Sequence, residues 1–257
     1  MIDFEANRSD KREYLYSSAN TDFVFRKHMH RSFELNYVFA GELLCEVDGH
    51  KFSAKAGEGI LTLPGQIHSF QTETHNESML FIFSNDWVED FYNDMRGTHF
   101  LPPVCPLGDG QFTEELRCPG TNRYRIKSIL YDVCSRFYEN CPRVKNNEAD
   151  FALTNAIAYY IEEHYQDKIT LTGMAEALGY NHCYLSGFFN RHFGTGFSAY
   201  VNGYRIQYAK TYLATTDKKV TEIASLCGFD TIRNFNRIFR QEFGLTPSAY
   251  RSLHAGD

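Results

Sequence analysis

No run of about 18 apolar residues occurs in the 257-residue sequence, so no segment reads as a membrane-spanning helix. There is no CxxC pair either. The seven cysteines, Cys45, Cys105, Cys118, Cys134, Cys141, Cys183 and Cys227, are scattered and odd in number, the usage of reduced thiols in a cytosolic protein. Met1-Ile2-Asp3-Phe4-Glu5 carries acids where a secretory signal is basic and then apolar, which agrees with a cytoplasmic location. Also missing are the GxSxG nucleophile elbow, the phosphate-cradling GxxxxGK[ST] loop and the HExxH zinc helix. Without those signatures the chain is expected not to be an enzyme.

What is present is enough to fold. A composition of 43% hydrophobic, 16% aromatic and 23% charged residues excludes disorder of the whole chain, and the length suits one large domain or two ordinary ones. The net charge of −6 is unevenly spread: residues 151–257 hold 10 Lys and Arg against 9 Asp and Glu, which leaves 16 against 23 in residues 1–150. Between residues 178 and 251 the balance is 9 basic to 4 acidic. An acidic first half and a locally basic second half suggest a nucleic-acid partner at one end only, although a solvated basic face gives the same count.

Residues 22–84 read as short antiparallel strands. Phe33, Leu35, Tyr37 and Phe39 alternate along one run and Leu43, Cys45 and Val47 along the next, with Asp48-Gly49 as a two-residue turn before Phe52 and Ala54. Such a series, with no helix inside it, predicts a small barrel or sandwich. Asn85-Asp86 is placed to cap a short helix carrying Trp87, Phe91 and Met95. A clearer helix follows over 123–140, with Ile126, Ile129, Leu130, Val133 and Phe137 on one stripe and Pro142 beyond its end. That stripe must be buried, either in its own domain or as a seam between two copies of the chain. Val144–Asp150 is polar and reads as a linker.

Residues 151–257 are helical and repeat. Gly179-Tyr180-Asn181 matches Gly228-Phe229-Asp230 at an offset of 49, and Leu185, Phe189, Phe193-Gly194 and Ser198-Ala199-Tyr200 match Phe235, Phe239, Phe243-Gly244 and Ser248-Ala249-Tyr250 at 50. Each copy has a short helix with one inward alanine (Ala175 or Ala224), a glycine turn and a longer helix. This is the helix-turn-helix pattern, and two copies are too few for a solenoid. In the second long helix, Arg233, Asn236, Arg237 and Arg240 share the side opposite the aromatic stripe, with Asn234 beside them. Guanidiniums on one exposed stripe suit guanine edges and phosphates, the alternative being a face that only solubilises. The first copy offers Cys183, Ser186, Gly187 and Asn190 at the equivalent positions, with His182 and Arg191 on the flanks. It is therefore expected to add less electrostatic affinity.

Residues 155–251 resemble the DNA-binding domain of the AraC/XylS family of transcription regulators. The resemblance rests on Ala156-Tyr159-Ile161-Glu163-His164-Tyr165, on Leu171-Ala175-Leu178-Gly179, on Tyr184-Leu185-Ser186 with Phe189, and above all on Val220–Arg251 with its Thr246-Pro247-Ser248-Ala249-Tyr250-Arg251 ending. The family often has arginine where Gly187 stands. The resemblance implies a transcription factor, frequently an activator that recruits RNA polymerase. His28-Met29-His30 with Glu34 and Gly41, then Gly57, Pro64-Gly65 and His68, resemble the two cupin motifs, the second one residue short in its Pro–Gly spacing.

In a regular strand His28, His30 and Glu34 share a face. Three readings of these groups and His68 stand: a metal site, a polar ligand pocket without metal, or histidines hydrogen-bonded for structure. Phe33, Tyr37 and Phe70 are placed to wall such a pocket or to sit in the core, whereas His50, His75 and His99 read as surface residues. The expected organisation is an all-β cupin-like sensing and dimerisation domain (1–110), a helical connector and linker (111–150), and an all-α DNA-binding domain (151–257) with helix-turn-helix motifs near 171–193 and 220–243. The expected function is a DNA-binding regulator controlled by a small molecule, with a sugar as the family's habit suggests, acting as a homodimer. A metal-dependent cupin enzyme carrying a DNA-binding tail and a constitutive DNA-binding protein are the alternatives.

Overall fold

The computed structural model describes residues 13–254. These residues form two units that divide between Ala158 and Tyr159. Among them, no helix is long and apolar enough to cross a membrane.

The N-terminal unit is built of antiparallel strands: β1 (Leu15–Thr21), β2 (Phe25–His28), β3 (Phe33–Ala40), β4 (Glu42–Val47), β5 (His50–Lys55), β6 (Glu58–Thr62), β7 (His68–Gln71) and β8 (Glu77–Phe83). Short elements follow: α1 (Glu89–Asp94), β9 (Thr98–Phe100), β10 (Val104–Pro106), α2 (Gln111–Arg117), α3 (Arg123–Asn140) and β11 (Arg143–Lys145). One sheet runs β1-β8-β3-β6-β10, a second runs β2-β7-β4-β5, and β11 pairs with β9. The Asp48-Gly49 turn has positive φ at both residues, +48° and +86°, and joins Val47 directly opposite His50.

Strand β3 is buried on both faces, and the two faces differ in chemistry. Phe33, Leu35 and Tyr37 belong to the core that also takes Ile129, Leu130, Val133 and Phe137 of α3. The stripe of α3 is therefore consumed inside its own unit and does not form a seam between copies. Asn122 caps α3, its side chain accepting from the amides of Tyr124 and Arg125. The cap expected from Asn85-Asp86 is not formed: those residues lie in a 3-10 turn, and α1 begins at Glu89. The linker expected over 144–150 is instead strand β11 and the start of the next helix, because Val144 pairs opposite His99.

The helices of the remainder are α4 (Glu148–His164), α5 (Leu171–Leu178), α6 (His182–Phe193), α7 (Phe197–Thr215), α8 (Val220–Leu226), α9 (Ile232–Phe243) and α10 (Pro247–His254). Helix pairs α5–α6 and α8–α9 are the two helix-turn-helix motifs. Ala175 and Ala224 are both buried at 2% exposure, as the close crossing of each pair requires. Asn181 caps α6 through the Cys183 amide, and Thr231 caps α9 through the Asn234 amide. Leu185, Phe188, Phe189 and Phe193 are buried on α6, and Phe235 and Phe239 on α9.

The turn of the second motif needs its glycine twice over. Gly228 has φ +78°, and a Cβ there would sit 2.6 Å from the Tyr165 carbonyl oxygen and 2.7 Å from that of Gln166. Gly244, at φ +70°, has nothing within 4 Å of the same position. Gly244→Ala is thus expected to cost on the order of 1–2 kcal/mol for the left-handed backbone alone, and Gly228→Ala measurably more. Chemical denaturation of both variants checks this, and equal losses would show that the turn relaxes freely.

Candidate functional site

The polar face of β3 points Glu34 at three imidazoles. The Nε2 atoms of His30, His68 and His28 lie 3.0, 3.4 and 3.8 Å from the same Glu34 oxygen, Oε2. His28 closes β2 and stands directly opposite His68 on β7, so β2 and β7 of the smaller sheet meet β3 of the larger one at this point. His30 arrives by a different route from the regular strand expected: β2 ends at His28, and His30 reaches Glu34 from the irregular connection between β2 and β3. All four groups are buried or nearly so, with side-chain exposures of 10% or less.

The second nitrogen of each ring is also committed. His28 Nδ1 faces the Arg26 carbonyl at 2.9 Å, His30 Nδ1 that of Ser32 at 3.0 Å, and His68 Nδ1 that of Gln66 at 2.9 Å. Asn36, two residues along β3 on the same face as Glu34, donates its Nδ2 to Glu34 Oε1 at 2.8 Å. The Asn36 Oδ1 atom is buried with no hydrogen-bond partner among the described residues. Gln66 fixes the approach to His68: its side chain bonds the Leu63 amide and the Asp48 carboxylate.

Burial lowers the pKa of His28 to about 4, helped by the charge of His68 and opposed by Glu34. Burial works against ionisation of Glu34, yet its hydrogen bonds with His28, His30 and His68 outweigh that and hold the carboxyl well below the usual carboxylate range.

The structure corrects part of the expected pocket wall. Phe70 is fully buried beside His68, with ring centroids 5.7 Å apart, and so belongs with the cluster. Tyr37 and Phe33 do not. Being odd-numbered on β3, they lie on the apolar face, and the Tyr37 hydroxyl donates to the Gly108 carbonyl at 2.6 Å. The sequence reading also passed over Asn36 and Gln66; spacing i, i+2 from Glu34 and i, i−2 from His68 was the available signal. Of the other histidines, His50 and His75 are exposed, and His99 is half-buried against Asn146.

On α9, Arg233, Asn236, Arg237 and Arg240 are exposed, and Asn234 is half-buried. Arg237 donates to Gln241 Oε1 and to Asn234 Oδ1, each at 2.9 Å, so its fork is held by neutral partners and keeps its full charge unneutralised. Gln241, one turn beyond Arg237, is a contact the sequence reading did not use. On α6, His182, Cys183, Asn190 and Arg191 are exposed and Ser186 is half-buried. Tyr184, also exposed, stacks on Tyr180 with centroids 5.7 Å apart.

A polar cluster inside a β-structured unit, followed by two capped helix-turn-helix motifs, defines a DNA-binding transcription regulator with a ligand-binding domain. Comparison with known proteins gives the same class. Residues 12–120 match the AraC-like ligand binding domain, and residues 174–252 match a helix-turn-helix domain. The chain belongs to the AraC/XylS family of transcription regulators.

Over 100 residues the chain is 40% identical to the HTH-type transcriptional regulator YijO of Escherichia coli strain K12, and over 99 residues 37% identical to YtdP of Bacillus subtilis strain 168. Those stretches are 39% and 38% of this chain but only 35% and 13% of the two relatives. The crystal structure of ToxT from Vibrio cholerae O395 has a similar fold, with a TM-score of 0.64 over 95% of this chain and 99% of that one at 14% identity.

The proton balance of the cluster sets a pH dependence. His28 binds a proton near pH 6.5 when unfolded but only near 4 when folded, so between those values the unfolded state holds more protons and stability rises with pH. Glu34, with its folded pKa depressed, acts in the same direction below the unfolded carboxylate value. Chelator-treated protein is thus expected to lose stability on acidification from pH 6.5 towards 4, by up to about 1.4 kcal/mol per pH unit for one proton. Melting temperatures across that range check it, and His28→Asn should flatten the curve.

Proposed function

We propose that this chain is a sugar-responsive transcription activator that works as a homodimer and engages RNA polymerase when its barrel is occupied. The observation that carries the DNA-binding half is the α9 stripe, where three exposed arginines have no carboxylate within ion-pair distance among the described residues. Such a face gains most from an anionic duplex. In this reading Arg237, braced by Asn234 and Gln241, makes the bidentate contact with a guanine edge, while Arg233 and Arg240 meet phosphates. Helix α6 adds Asn190, Ser186, His182, Cys183 and Arg191, contacts that fix register more than they add charge.

The regulatory half is supported by the buried polar groups of the barrel. Glu34 and the unpartnered Asn36 Oδ1 accept hydrogen bonds, and a polyhydroxylated effector supplies donors for both. Phe70, fully buried beside His68, backs the polar cluster with an apolar wall. Occupancy changes DNA binding only to the extent that the effector distinguishes two states of the protein. Since α3 spends its apolar stripe internally, the contact between copies uses other surface. The activator role and the polymerase contact follow the habit of the family.

Two measurements test this reading. Arg237→Ala is expected to weaken operator binding more than Asn190→Ala does and to relax the preference for guanine at the position it reads, while Arg233→Ala reduces the slope of log affinity against log salt by about one; equal effects of Arg237→Ala and Asn190→Ala would refute the dominance of α9. For the barrel, a panel of sugars is scanned with an unsaturated fatty acid in parallel, because one ToxT crystal structure from strain SCE256 holds such a ligand. The effector, at about 100 times its dissociation constant, should stabilise the protein by about 2.7 kcal/mol. It should also raise expression of an operator-linked reporter, with the protein sedimenting as a dimer. A response to the fatty acid and to no sugar would overturn the sugar class.

A further inference from the structure

We infer that Arg191 reads a guanine edge across the space that Gly187 leaves on α6, so that the first motif carries a base-reading arginine of its own. The inference rests on the reading of α6 and α9 as the helices that face DNA. It goes further by assigning one residue of the first motif to one kind of base, so that α6 specifies sequence as well as fixing register.

The starting point is a glycine that the fold does not require. Gly187 sits in the middle of the twelve-residue α6, where glycine is the poorest helix former after proline. The turn glycines have positive φ, +73° at Gly179 and +78° at Gly228, but Gly187 does not. Nor is it kept small by packing. Apart from the backbone of its own turns, a Cβ on Gly187 would meet no backbone and no core side chain within 4 Å among the described residues. What it would meet is the guanidinium of Arg191, with Nη1 3.5 Å away.

Side chains on a helix lean towards its N-terminus, so a residue at 191 covers the surface one turn back, at 187. Arg191 lies in this way over the bare Cα. It is exposed, no described carboxylate pairs with it, and α6 contains no aspartate or glutamate.

The internal repeat gives this arrangement a meaning. At the offset of 50, Gly187 corresponds to Arg237 and Arg191 to Gln241. On α9 the arginine stands at the centre of the outer face, and Gln241 one turn on accepts from it at 2.9 Å. On α6 the arginine stands one turn on and the centre is empty. The two helices therefore bring a guanidinium to equivalent places from opposite ends of the same i, i+4 pair.

Place decides the partner. The centre of a recognition helix's outer face looks at base edges, while cations on its flanks meet phosphates. A guanidinium over position 187 faces the bases, and its fork matches O6 and N7 of guanine. A methyl group at 187 would leave it there, since 3.5 Å is ordinary contact distance; a longer side chain would fill the space and push it aside.

The test uses the full chain and a pool of duplexes with a randomised centre. Wild type enriches its sites, and the tightest duplex is remade with every single base-pair change and titrated against each variant by fluorescence anisotropy. One guanine is expected whose replacement costs wild type about 10-fold or more in affinity and costs Arg191→Ala less than about 2-fold. Arg191→Lys, which keeps the charge without the fork, should lose most of that discrimination. Gly187→Leu should lose it too, with the arginine still in the chain. Gly187→Ala should keep it and melt at a higher temperature. Arg237→Ala should relax a different position. Circular dichroism and cooperative melting check that each variant folds.

If Arg191→Ala weakens every duplex by one factor and makes the salt slope shallower by about one, the arginine meets phosphate and the inference is overturned. An unchanged base preference in Arg191→Ala overturns it as well. A wild-type chain that enriches no sequence removes the DNA-binding reading, and this inference with it, a result distinct from the loss of one contact.

Discussion

Burial of β3 on both faces is the constraint around which the N-terminal unit is arranged. A strand shows alternate residues to opposite sides, so β3, buried on both faces from Phe33 to Val38, must satisfy two environments at once. Phe33, Leu35 and Tyr37 are met by α3 and the rest of the apolar core. Glu34 and Asn36 are met by the histidines of β2, of the connection after it, and of β7. A shift of register by one residue would send the carboxylate into the aromatic core, which is costly for a charge. The polar cluster and the helix packing therefore specify the same register from opposite sides.

Much of this was legible in the sequence, for reasons that differ between elements. The β3–β5 meander was readable because its alternation is clean and Asp48-Gly49 is a turn pair with a backbone reason. Helix α3 was readable from its stripe and its proline stop, but which surface the stripe met was not, since periodicity reports burial and not the partner. β1 and the β9–β11 pair went unread: β1 exists because Leu15–Thr21 pairs along the whole of β8, a contact some 60 residues away in sequence, and Ser17, Ser18 and Asn20 give it no apolar alternation. At the cluster, residue types and spacing brought His28, His30, Glu34 and His68 together correctly. Assigning Tyr37 to the same pocket ignored the pleat that places it on the other face.

The C-terminal unit shows how a duplicated frame diverges. Both motifs keep the buried alanine, the glycine turn, the capped long helix and the aromatic stripe, because these residues close the same crossing in each. Their exposed faces have parted. On α9 the stripe is cationic, with Arg237 bridged to Asn234 and Gln241. On α6 it is neutral, and Gly187 presents only backbone where its counterpart, Arg237, is the braced arginine.

That separation has a consequence for how the protein changes over generations. On each long helix the residues that keep the fold and the residues that face outward are disjoint sets, with Phe235 and Phe239 in one and Arg233, Arg237 and Arg240 in the other. Substitution at the outer positions leaves the core contacts intact, so DNA preference and folding stability can be inherited as nearly independent traits. Having two such helices doubles that freedom, since one can be rewritten while the other keeps the protein on its existing binding sites.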